Sequence, residues 1–346
     1  MRGLVALLTG AYALGLLAFL LLRLIWGDRF WWLAFLSNFT PWYFAALFVL
    51  LPLPILCRVK HPVLLMLPLV LLGVFWFGRL YLPKAQGQAG NAPTLKVVSF
   101  NVWGDNRNLD DVEDWLREMK ADVVLTQEIP PAWADETVAA MNKVYPYQAN
   151  MSVDVRYWGN NSWSRTPILA VENFDLEADG TPSHSRIVIE VDGQQVAVYN
   201  IHLFVPMRDT PRFSTRLDFS YLGMMLKYDD RERNAQIVRL IERLESELLP
   251  YIVAGDFNMS DQNRVYNDLT AVMHDSFREV GTGLGTSWPN MQRIRLLRVI
   301  PPLMRIDYIW HSDDFRAISA AQGPYLGSDH LPLYATLALG SRDSYS

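Results

Sequence analysis

The chain has 346 residues and a formal net charge of −5, and its length allows one large domain or two ordinary ones. Its apolar residues are concentrated at the amino terminus, where residues 1–94 contain seven Lys or Arg and a single acid, Asp28. Residues 95–346 therefore contain 24 Lys or Arg against 35 Asp or Glu, a charge of −11, which disfavours a surface that grips duplex DNA through its phosphates.

Three uncharged apolar stretches follow one another near the amino terminus, at residues 4–22, 30–57 and 62–78. Each is close to the roughly 20 residues that cross the hydrocarbon core of a bilayer. A signal peptide would give one such stretch followed by a small-residue cleavage site, so three in series argue against it. The pattern predicts a membrane anchor over residues 1–83. Its transmembrane helices are expected at about 4–26, 36–57 and 62–82.

The basic residues predict the orientation of this anchor. Arg2 lies at the amino terminus, and Arg58 and Lys60 fill the short turn between the second and third helices, so both positions are expected in the cytoplasm. The loop at 27–40 is rich in Trp, which suits a membrane–water interface. An odd number of spans then places the rest of the chain outside the cytoplasm. The only cysteine, Cys57, lies at the membrane, so the soluble part has no thiol to oxidise.

Residues 84–94 are small, polar and interrupted by Gly and Pro, which predicts a linker. A soluble α/β domain is expected over residues 95–340, with a tail at 341–346. Its strand and helix patterns alternate along the chain. In order, they predict a strand at 95–102, a helix from Asn108, a strand at 121–128, a helix at 131–144, a hairpin of 186–191 with 195–203, a helix at 230–249, and strands at 251–254, 305–310 and 333–339.

Polar side chains stand at the ends of the predicted strands. The clearest case is the apolar run at 251–254, which ends at Gly255, where the backbone can turn, and then presents Asp256 and Asn258 on one face. For any one such place, a polar turn is the alternative. The other groups are Asn101, Glu128, His202 and Asp307, together with Asp329 and His330 before the last strand. The repetition predicts one edge of a layered sheet structure lined with acids, amides and imidazoles.

The segments that carry these groups resemble the endonuclease/exonuclease/phosphatase superfamily. In chain order they read SFNVWG, LTQE, NIHL, GDFN, RIDYI and GSDHLP, and the resemblance covers about 95–340. It implies a four-layered α/β sandwich of the DNase I type, with two largely antiparallel central sheets, and a phosphoesterase that uses a divalent metal. The preceding helices make the chain most similar to a membrane-anchored bacterial branch that includes proteins linked to glycopeptide-antibiotic resistance. That branch implies a multi-pass protein of the bacterial plasma membrane.

The resemblance implies a metal site and a base. Glu128 would hold the metal, with Asn101 beside it and Asp329 completing the site. Oxygen ligands favour Mg²⁺, with Mn²⁺ as the alternative. Asp256 would activate water, and Asn258 would hold either Asp256 or the phosphate.

Two histidines are expected to donate hydrogen bonds to the phosphoryl oxygens. These are His202 and His330, which both fall in matching motifs. Asp307 would pair with His330, fix its tautomer and raise its pKa, so that the imidazole stays cationic.

Four further residues are expected to contact the substrate: Ser287, Trp288, Arg165 and His184. The first two lie in a loop similar to the family's substrate-edge loop. Arg165 belongs to a Ser-Arg-x-Pro segment, and His184 lies in a loop that could approach the phosphate. The stretch at 157–163 departs from the compact apolar segment of many relatives, which leaves open which residue supports His202.

Two segments next to the predicted site mix basic and apolar side chains, at 205–228 and 291–306. Such a mixture suits anionic lipid head groups and acyl chains, and ordinary loop packing is the alternative. Together with the anchor, it predicts membrane lipids as partners and a phosphorylated or pyrophosphorylated lipid as substrate. The alternatives are an extracytoplasmic nuclease, which the charge of −11 disfavours, and a catalytically idle binding protein, which the full set of acids and histidines disfavours.

Overall fold

The first part of the chain is a bundle of apolar helices. In this computed structural model they are α1 (Arg2–Trp26), α2 (Trp31–Ser37), α3 (Thr40–Leu50), α4 (Pro52–Leu56) and α5 (Lys60–Phe77), with a 3₁₀ turn at Gly78–Tyr81. α1, and α5 together with its 3₁₀ turn, are each long and apolar enough to cross a membrane. A third span is present if the bent pair of α2 with α3 and α4 counts as one. Many leucines along α1 and α5 are exposed, as expected for surfaces that face acyl chains.

The second predicted span, at about 36–57, is not a single straight helix. The chain bends by 60° between α2 and the segment of α3 with α4. Pro41 lies in the first turn of α3, a position that tolerates proline because the first N–H groups of a helix have no intrahelical acceptor. The stretch predicted as a loop at 27–40 therefore contains α2, whose Leu33 is fully buried.

Two six-stranded sheets form the centre of the domain that follows the anchor. Their strands are β1 (Thr94–Asn101), β2 (Val123–Ile129), β3 (Tyr147–Asn150), β4 (Gly159–Ser164), β5 (Ile168–Phe174), β6 (His184–Val191), β7 (Gln194–His202), β8 (Tyr251–Asp256), β9 (His274–Asp275), β10 (Asp307–His311), β11 (Phe315–Gln322) and β12 (Leu333–Leu339). The first sheet has the order β11-β12-β1-β2-β4-β3, and the second has the order β5-β6-β7-β8-β10-β9. β1 pairs with β2, and β7 with β8, in parallel, while the other neighbours pair antiparallel.

Helices cover both outer faces of the paired sheets. They are α6 (Leu109–Met119), α7 (Arg231–Glu245) and α8 (Val265–Thr270), whereas the short α9 (Ser276–Val280) contacts strands of both sheets and packs Val280 against the core between them. A core that includes Val97 and Val198 lies between the sheets. Leu116 of α6 packs against the outer face of the first sheet, and Leu240 of α7 packs against the outer face of the second. This arrangement confirms the predicted four-layered α/β sandwich.

The structure describes residues 1–84, 87, 89–129, 141–150, 159–176, 183–207, 227–292, 294 and 296–340. Most of the predicted helix at 131–144 and of the segment at 205–228 lies outside these residues. Within them, the predicted hairpin, the predicted helix at 230–249 and the predicted strands are present, with shifted ends. The strands β3, β4, β5, β9 and β11 have no counterpart among the predicted elements.

The directions of the strands bring the predicted polar groups to one edge. β8 lies between β7 and β10, so that Asp256 pairs with His202 on one side and with Asp307 on the other. In the first sheet, the parallel strands β1 and β2 run side by side to Asn101 and Gln127, next to Glu128. The edge predicted from the sequence is therefore present.

Gly255 lies inside β8, whereas the sequence predicted a turn at this position. Its φ is +147°, and a Cβ atom built there would be 1.8 Å from the carbonyl oxygen of Ile201 on β7. Because no side chain fits at that distance, glycine allows β7 and β8 to stay paired up to their ends. Those ends carry His202 and Asp256.

The anchor packs against the same edge of the sandwich. Arg23, near the end of α1, donates a hydrogen bond to the carbonyl oxygen of Gln262 at 2.5 Å. Trp42, in the first turn of α3, donates from Nε1 to the carbonyl oxygen of Leu303 at 2.7 Å. Both acceptors lie in loops next to β8 and β10, so the helix bundle contacts the loops that flank Asp256.

Candidate active site

Side chains from both sheets converge on Asp256. Its Oδ2 lies 3.0 Å from Nδ2 of Asn101, 3.7 Å from Nε2 of His330 and 3.9 Å from Nε2 of His202. Its Oδ1 accepts a hydrogen bond from the backbone N–H of Asn258 at 2.8 Å. Since Asp256 is only 1% exposed, this carboxylate is the buried centre of the edge.

Asn101 holds two carboxylates together across the sheets. Its Nδ2 donates to Oε1 of Glu128 at 2.9 Å as well as to Asp256, and its Oδ1 accepts from the backbone N–H of Trp103 at 3.0 Å. Oε1 of Glu128 is in turn 3.6 Å from Nε2 of His202. Asn101 thus lies beside Glu128, as the sequence predicted, and its amide N–H group faces both carboxylates.

The predicted pair of Asp307 and His330 is present. Nδ1 of His330 lies 2.9 Å from Oδ2 of Asp307, which leaves Nε2 facing Asp256. Oδ1 of Asp329 is 4.0 Å from the same Nε2, and its Oδ2 accepts a hydrogen bond from Nε1 of Trp288 at 3.1 Å. Asp329 and Trp288 therefore form the rim of the cluster next to His330.

Burial and charge set the ionisation of these groups. Burial, followed by the Asp307 carboxylate, raises the pKa of Asp256 to about 6, although both histidines oppose the shift. Burial disfavours the cation of His330, but Asp307 and Asp256 outweigh it and hold the pKa of His330 well above its usual value. Burial also raises the pKa of Asp329. A proton acceptor with a pKa near neutrality therefore faces a cationic imidazole, which suits acid–base chemistry.

The donor atoms fit a divalent cation. One ligand atom each from Glu128, His202 and Asp256 lie within 4.8 Å of one another, and so do atoms from Asp256, Asp307 and His330. In the part of the chain that the structure describes, Nε2 of His202 and Oδ1 of Asp307 are buried without a hydrogen-bond partner. Buried polar atoms are normally paired, so these atoms point to a missing ligand. Carboxylate oxygens and imidazole without thiolate favour a hard or borderline metal ion.

Three residues at the cluster have left-handed backbone conformations. Trp103 has φ 67°, Glu128 has φ 54° and Asn258 has φ 47°. Such conformations cost about 1–3 kcal/mol each for residues other than glycine and are often found at functional sites. Asn258 also donates from Nδ2 to the carbonyl oxygen of Leu203 at 2.9 Å, so its turn is fixed while its backbone N–H holds Asp256.

Arg165 lies far from the cluster. Its backbone N–H donates to the carbonyl oxygen of Asp122, at the start of β2, and its side chain contacts the carbonyl oxygen of Lys120. Glu128 lies at the other end of β2. Because β4 runs antiparallel to β2, it carries Arg165 away from the site. The predicted contact of Arg165 with the substrate does not agree with this placement.

His184 and Ser287 lie behind the cluster, whereas the sequence predicted that they line the substrate. Nδ1 of the fully buried His184 accepts from the backbone N–H of His202 at 3.3 Å, and burial, followed by the nearby His202, lowers the pKa of His184 to about 3. His184 is thus a neutral support of His202, the partner that the sequence left open. The buried hydroxyl of Ser287 accepts from the backbone N–H groups of Ile306 and Asp307, so it positions the start of β10.

Two residues without a predicted role hold the cluster in place. The hydroxyl of Ser328 donates to the carbonyl oxygen of Asn101 at 2.8 Å and accepts from the backbone N–H of His330 at 3.0 Å. The buried guanidinium of Arg233 donates to the carbonyl oxygen of Asn258 at 2.8 Å. Ser328 stands in the GSDHLP motif, which was the available signal. Arg233 lies on a charged helix and gives no signal in the sequence.

The chain belongs to the Endonuclease/Exonuclease/phosphatase family, whose model matches residues 98–330. That range contains every residue of the cluster. Members of this family hydrolyse phosphoesters, typically with a divalent metal, and the acidic and imidazole groups described above lie close enough together to hold a metal ion. Among curated proteins, no match to this sequence was found.

Solved structures with the same fold include enzymes of different specificity. The endonuclease/exonuclease/phosphatase from Bacteroides vulgatus has a TM-score of 0.53 and 17% identity, over 71% of this chain and 99% of its own. The mannosyl-6-phosphatase of Bacteroides thetaiotaomicron has a TM-score of 0.50 and 16% identity, over 71% and 100%. TDP2 of D. rerio, complexed with a single-strand DNA product, has a TM-score of 0.51 and 19% identity, over 70% and 98%. At these identities the likeness extends to the fold alone.

Proposed function

We propose that the protein is a membrane-anchored, Mg²⁺-dependent phosphoester hydrolase whose catalytic domain works outside the cytoplasm on a phosphorylated or pyrophosphorylated lipid. The membrane-anchored bacterial branch and the orientation of the anchor remain predictions from the sequence. The substrate class rests on the position of the cluster relative to the anchor.

The contact between the anchor and the catalytic edge carries this proposal. Besides the hydrogen bonds of Arg23 and Trp42, the backbone N–H of Gly283 donates to the carbonyl oxygen of Leu80, near the end of the anchor, at 2.7 Å. Gly283 shortly precedes the loop that carries Trp288. Three separate contacts thus hold the loops around the cluster next to the membrane-spanning bundle, which favours a substrate that resides in the membrane.

The cluster supplies the groups that phosphoester hydrolysis requires. Glu128 and Asp256 would hold a divalent cation, which would supply positive charge beside the phosphoryl oxygens. Asp256 would accept a proton from the attacking water, since its buried carboxylate lies between the imidazoles of His202 and His330. His330, kept cationic by Asp307, and His202 donate hydrogen bonds to the phosphoryl oxygens as negative charge grows on them.

A substrate panel tests the proposal. The full chain, purified in detergent, is given a long-chain lipid phosphate, a lipid pyrophosphate, a water-soluble phosphomonoester and single-stranded DNA, each with Mg²⁺ and with a chelator. Metal-dependent release of phosphate from the lipids, faster than from the soluble ester, is expected. Asp268→Asn serves as a control, because Asp268 is an exposed acid on α8, outside the cluster. Turnover of DNA without turnover of lipid would refute the proposed substrate.

A nucleic-acid phosphodiester is the second candidate, because D. rerio TDP2 shares the fold and was solved with a single-strand DNA product. The charge of −11 over residues 95–346 argues against it, since protein surfaces that bind nucleic acids are usually basic. The panel above separates the two candidates directly.

The orientation has its own test. A reporter that is active only outside the cytoplasm, fused after Ser346, is expected to be active because Arg2, Arg58 and Lys60 mark the cytoplasmic side. Activity of a cytoplasm-only reporter at the same position would reverse the orientation.

A further inference from the structure

The loop at 291–303 exposes apolar side chains next to the cluster. Leu296 is 85% exposed, Val299 is 83% exposed and Ile300 is 37% exposed. Large exposed apolar residues that occur together mark a surface that contacts a partner or a membrane. Arg298, between them, is also exposed, so the same surface carries positive charge.

The backbone of this loop forms hydrogen bonds within itself. The N–H groups of Ile294, Leu297 and Ile300 each donate to the carbonyl oxygen three residues earlier, at 2.8–2.9 Å. Two pairs of residues in these turns are each spaced by three. Ile294 and Leu297 are half-buried, whereas Leu296 and Val299 are exposed. These three hydrogen bonds pair part of the loop's backbone, which lowers the cost of moving it out of water.

The carboxyl-terminal end of the loop is fixed between the cluster and the anchor. The N–H groups of Leu303 and Met304 donate to the carbonyl oxygen of Trp288, whose indole in turn contacts Asp329. The carbonyl oxygen of Leu303 accepts from Trp42 of the anchor. Val299 precedes Leu303 by four residues, so it lies within about 14 Å of this contact even if the chain is fully extended.

Trp42 gives the depth of that contact. It lies in the first turn of α3, at the end of the bundle that faces the catalytic domain. Tryptophan concentrates at the level of the lipid head groups, and the head-group region on each side of a bilayer is roughly 5–7 Å thick. The exposed apolar side chains therefore lie within reach of the surface of the bilayer that the anchor spans.

We propose that the 291–303 loop is a second membrane contact, which inserts Leu296, Val299 and Ile300 into the interfacial region of the bilayer that holds the anchor. The inference rests on the membrane anchoring in the proposed function and adds to it a lipid-binding surface beside the site. Arg298 then faces anionic head groups, and Trp288 connects the inserted loop to the rim of the cluster. A lipid head group entering the cluster would pass this surface first.

A fluorescent probe tests insertion without relying on activity. In the full chain carrying Cys57→Ser, Leu296→Cys is labelled with a polarity-sensitive dye and reconstituted in vesicles that contain anionic phosphatidylglycerol. The matched control is Leu248→Cys, which is 95% exposed in the loop before β8, at the other edge of the sheet. Quenching by nitroxide-labelled lipid at position 296, but not at 248, is expected. Equal exposure of both probes to a water-soluble quencher would overturn the proposal, as would their equal quenching by lipid.

Activity then separates this inference from the proposed substrate. Leu296→Ser with Val299→Ser is expected to lower the ratio of lipid-phosphate to soluble-ester turnover by at least about tenfold, because two apolar side chains lose their transfer into lipid. Leu248→Ser is expected to leave the ratio unchanged, and an unchanged ratio in the loop variant would refute the insertion. If the probe at 296 is in lipid but wild type cleaves no lipid phosphate, the loop contact stands and the proposed substrate fails. If wild type cleaves lipid phosphate but the probe at 296 is in water, the proposed substrate stands and the loop contact fails.

Discussion

Two buried clusters of charged side chains lie near the start of β10, and they differ in their charge balance. In the first, both Nη atoms of Arg305 donate to the two carboxylate oxygens of Asp275, at 2.5 and 2.6 Å, and Tyr266 donates to the same carboxylate. Burial opposes the charge of Asp275, but Arg305 outweighs it and lowers the pKa of Asp275. In the second, the candidate active site, burial and a neighbouring carboxylate instead raise the pKa of Asp256.

The comparison distinguishes a cluster that stabilises the fold from one that is completed by a ligand. In the pair of Arg305 and Asp275 each charge has an opposite partner at hydrogen-bond distance, although Nε of Arg305 is buried without a hydrogen-bond partner among the described residues. The active-site cluster instead has an excess of negative charge, with the carboxylates of Glu128, Asp256, Asp307 and Asp329 against two imidazoles. Binding of a cation to such a cluster stabilises the folded protein, since the unfolded chain has no preformed site. Arg305 belongs to the segment at 291–306, for which the sequence left lipid contact and ordinary loop packing open, and its 1% exposure shows that it is packed inside.

The largest effect is expected for Asp256→Asn. The substitution keeps the volume and removes the charge, so turnover should fall by about 10²–10⁴-fold, the usual loss for a missing general base. The measurement is phosphate release with saturating Mg²⁺, beside a melting curve in detergent. Asp268→Asn is the matched control on the exposed face of α8. Near-native turnover by Asp256→Asn would show that another group activates the water.

The opposite result is expected for Arg305→Met, which should impair stability. Leaving Asp275 buried without its partner should cost about 3–5 kcal/mol of the free energy of unfolding. The variant Arg305→Met with Asp275→Asn should lose less, because no buried charge is left alone. Melting curves of the three proteins make the test, and a single variant as stable as wild type would mean that the pair does not hold this region together.

A smaller effect is expected for Asp307→Asn, which acts through His330. Loss of a residue that orients a site group typically costs about 10–100-fold. Because Asp307 helps to hold the pKa of His330 above its usual value, the cation should be lost at lower pH in the variant. The alkaline limb of the pH–rate profile should therefore move to lower pH. A drop in rate with an unmoved alkaline limb would assign Asp307 a purely structural role.

The sequence predicted the strands that carry the cluster, because apolar β-branched runs such as Leu95–Val98 and Tyr251–Ala254 have a strong pattern. It missed β4, Gly159–Ser164, because GNNSWS lacks such a run. That strand exists through its pairing with β2 and β3, which is a tertiary effect. It missed α2 for the opposite reason, since an aromatic segment at an interface resembles a loop.

The sequence predicted most residues of the candidate site, but it did not predict how they are arranged in space. Motif spacing brought His330 and Asp307 together correctly, yet it placed Arg165 at the site, since spacing does not give the direction of β4. Ser287 lies in a loop similar to one of the family, and His184 lies in a loop that could approach the phosphate, but only the packed structure shows that both are buried behind the cluster. Backbone conformations such as φ 54° at Glu128 leave no trace in the sequence.

The smallest effect is a difference in the pH dependence of stability. The pKa of Asp256 is about 6 in the folded protein against an ordinary value of 3.8, so the folded state takes up a proton as the pH falls through 6 while the unfolded state does not. Buried His184 acts in the opposite direction, because with a folded pKa of about 3 only the unfolded state takes up its proton in this range. The contribution of Asp256 itself to the free energy of unfolding of the metal-free protein should rise as the pH falls. The gain between pH 7.5 and 5.5 should be about 1 kcal/mol, or roughly 2–4 °C in melting temperature for a domain of this size.

Asp256→Asn is the reference for this measurement, because it removes the proton site and leaves the other titrating groups in place. Asp275 contributes in the opposite direction: its lowered pKa adds stability above the ordinary carboxyl range, which is lost only as the pH falls through that lowered pKa. The effect of Asp275 on stability thus lies below the window from pH 5.5 to 7.5. The two clusters therefore change the free energy of unfolding in different pH ranges. Melting curves in detergent with a chelator should show the wild type gaining stability relative to the variant as the pH falls. Parallel curves would mean that Asp256 is fully ionised over the whole window, and the contrast between the two clusters would then lie in geometry alone.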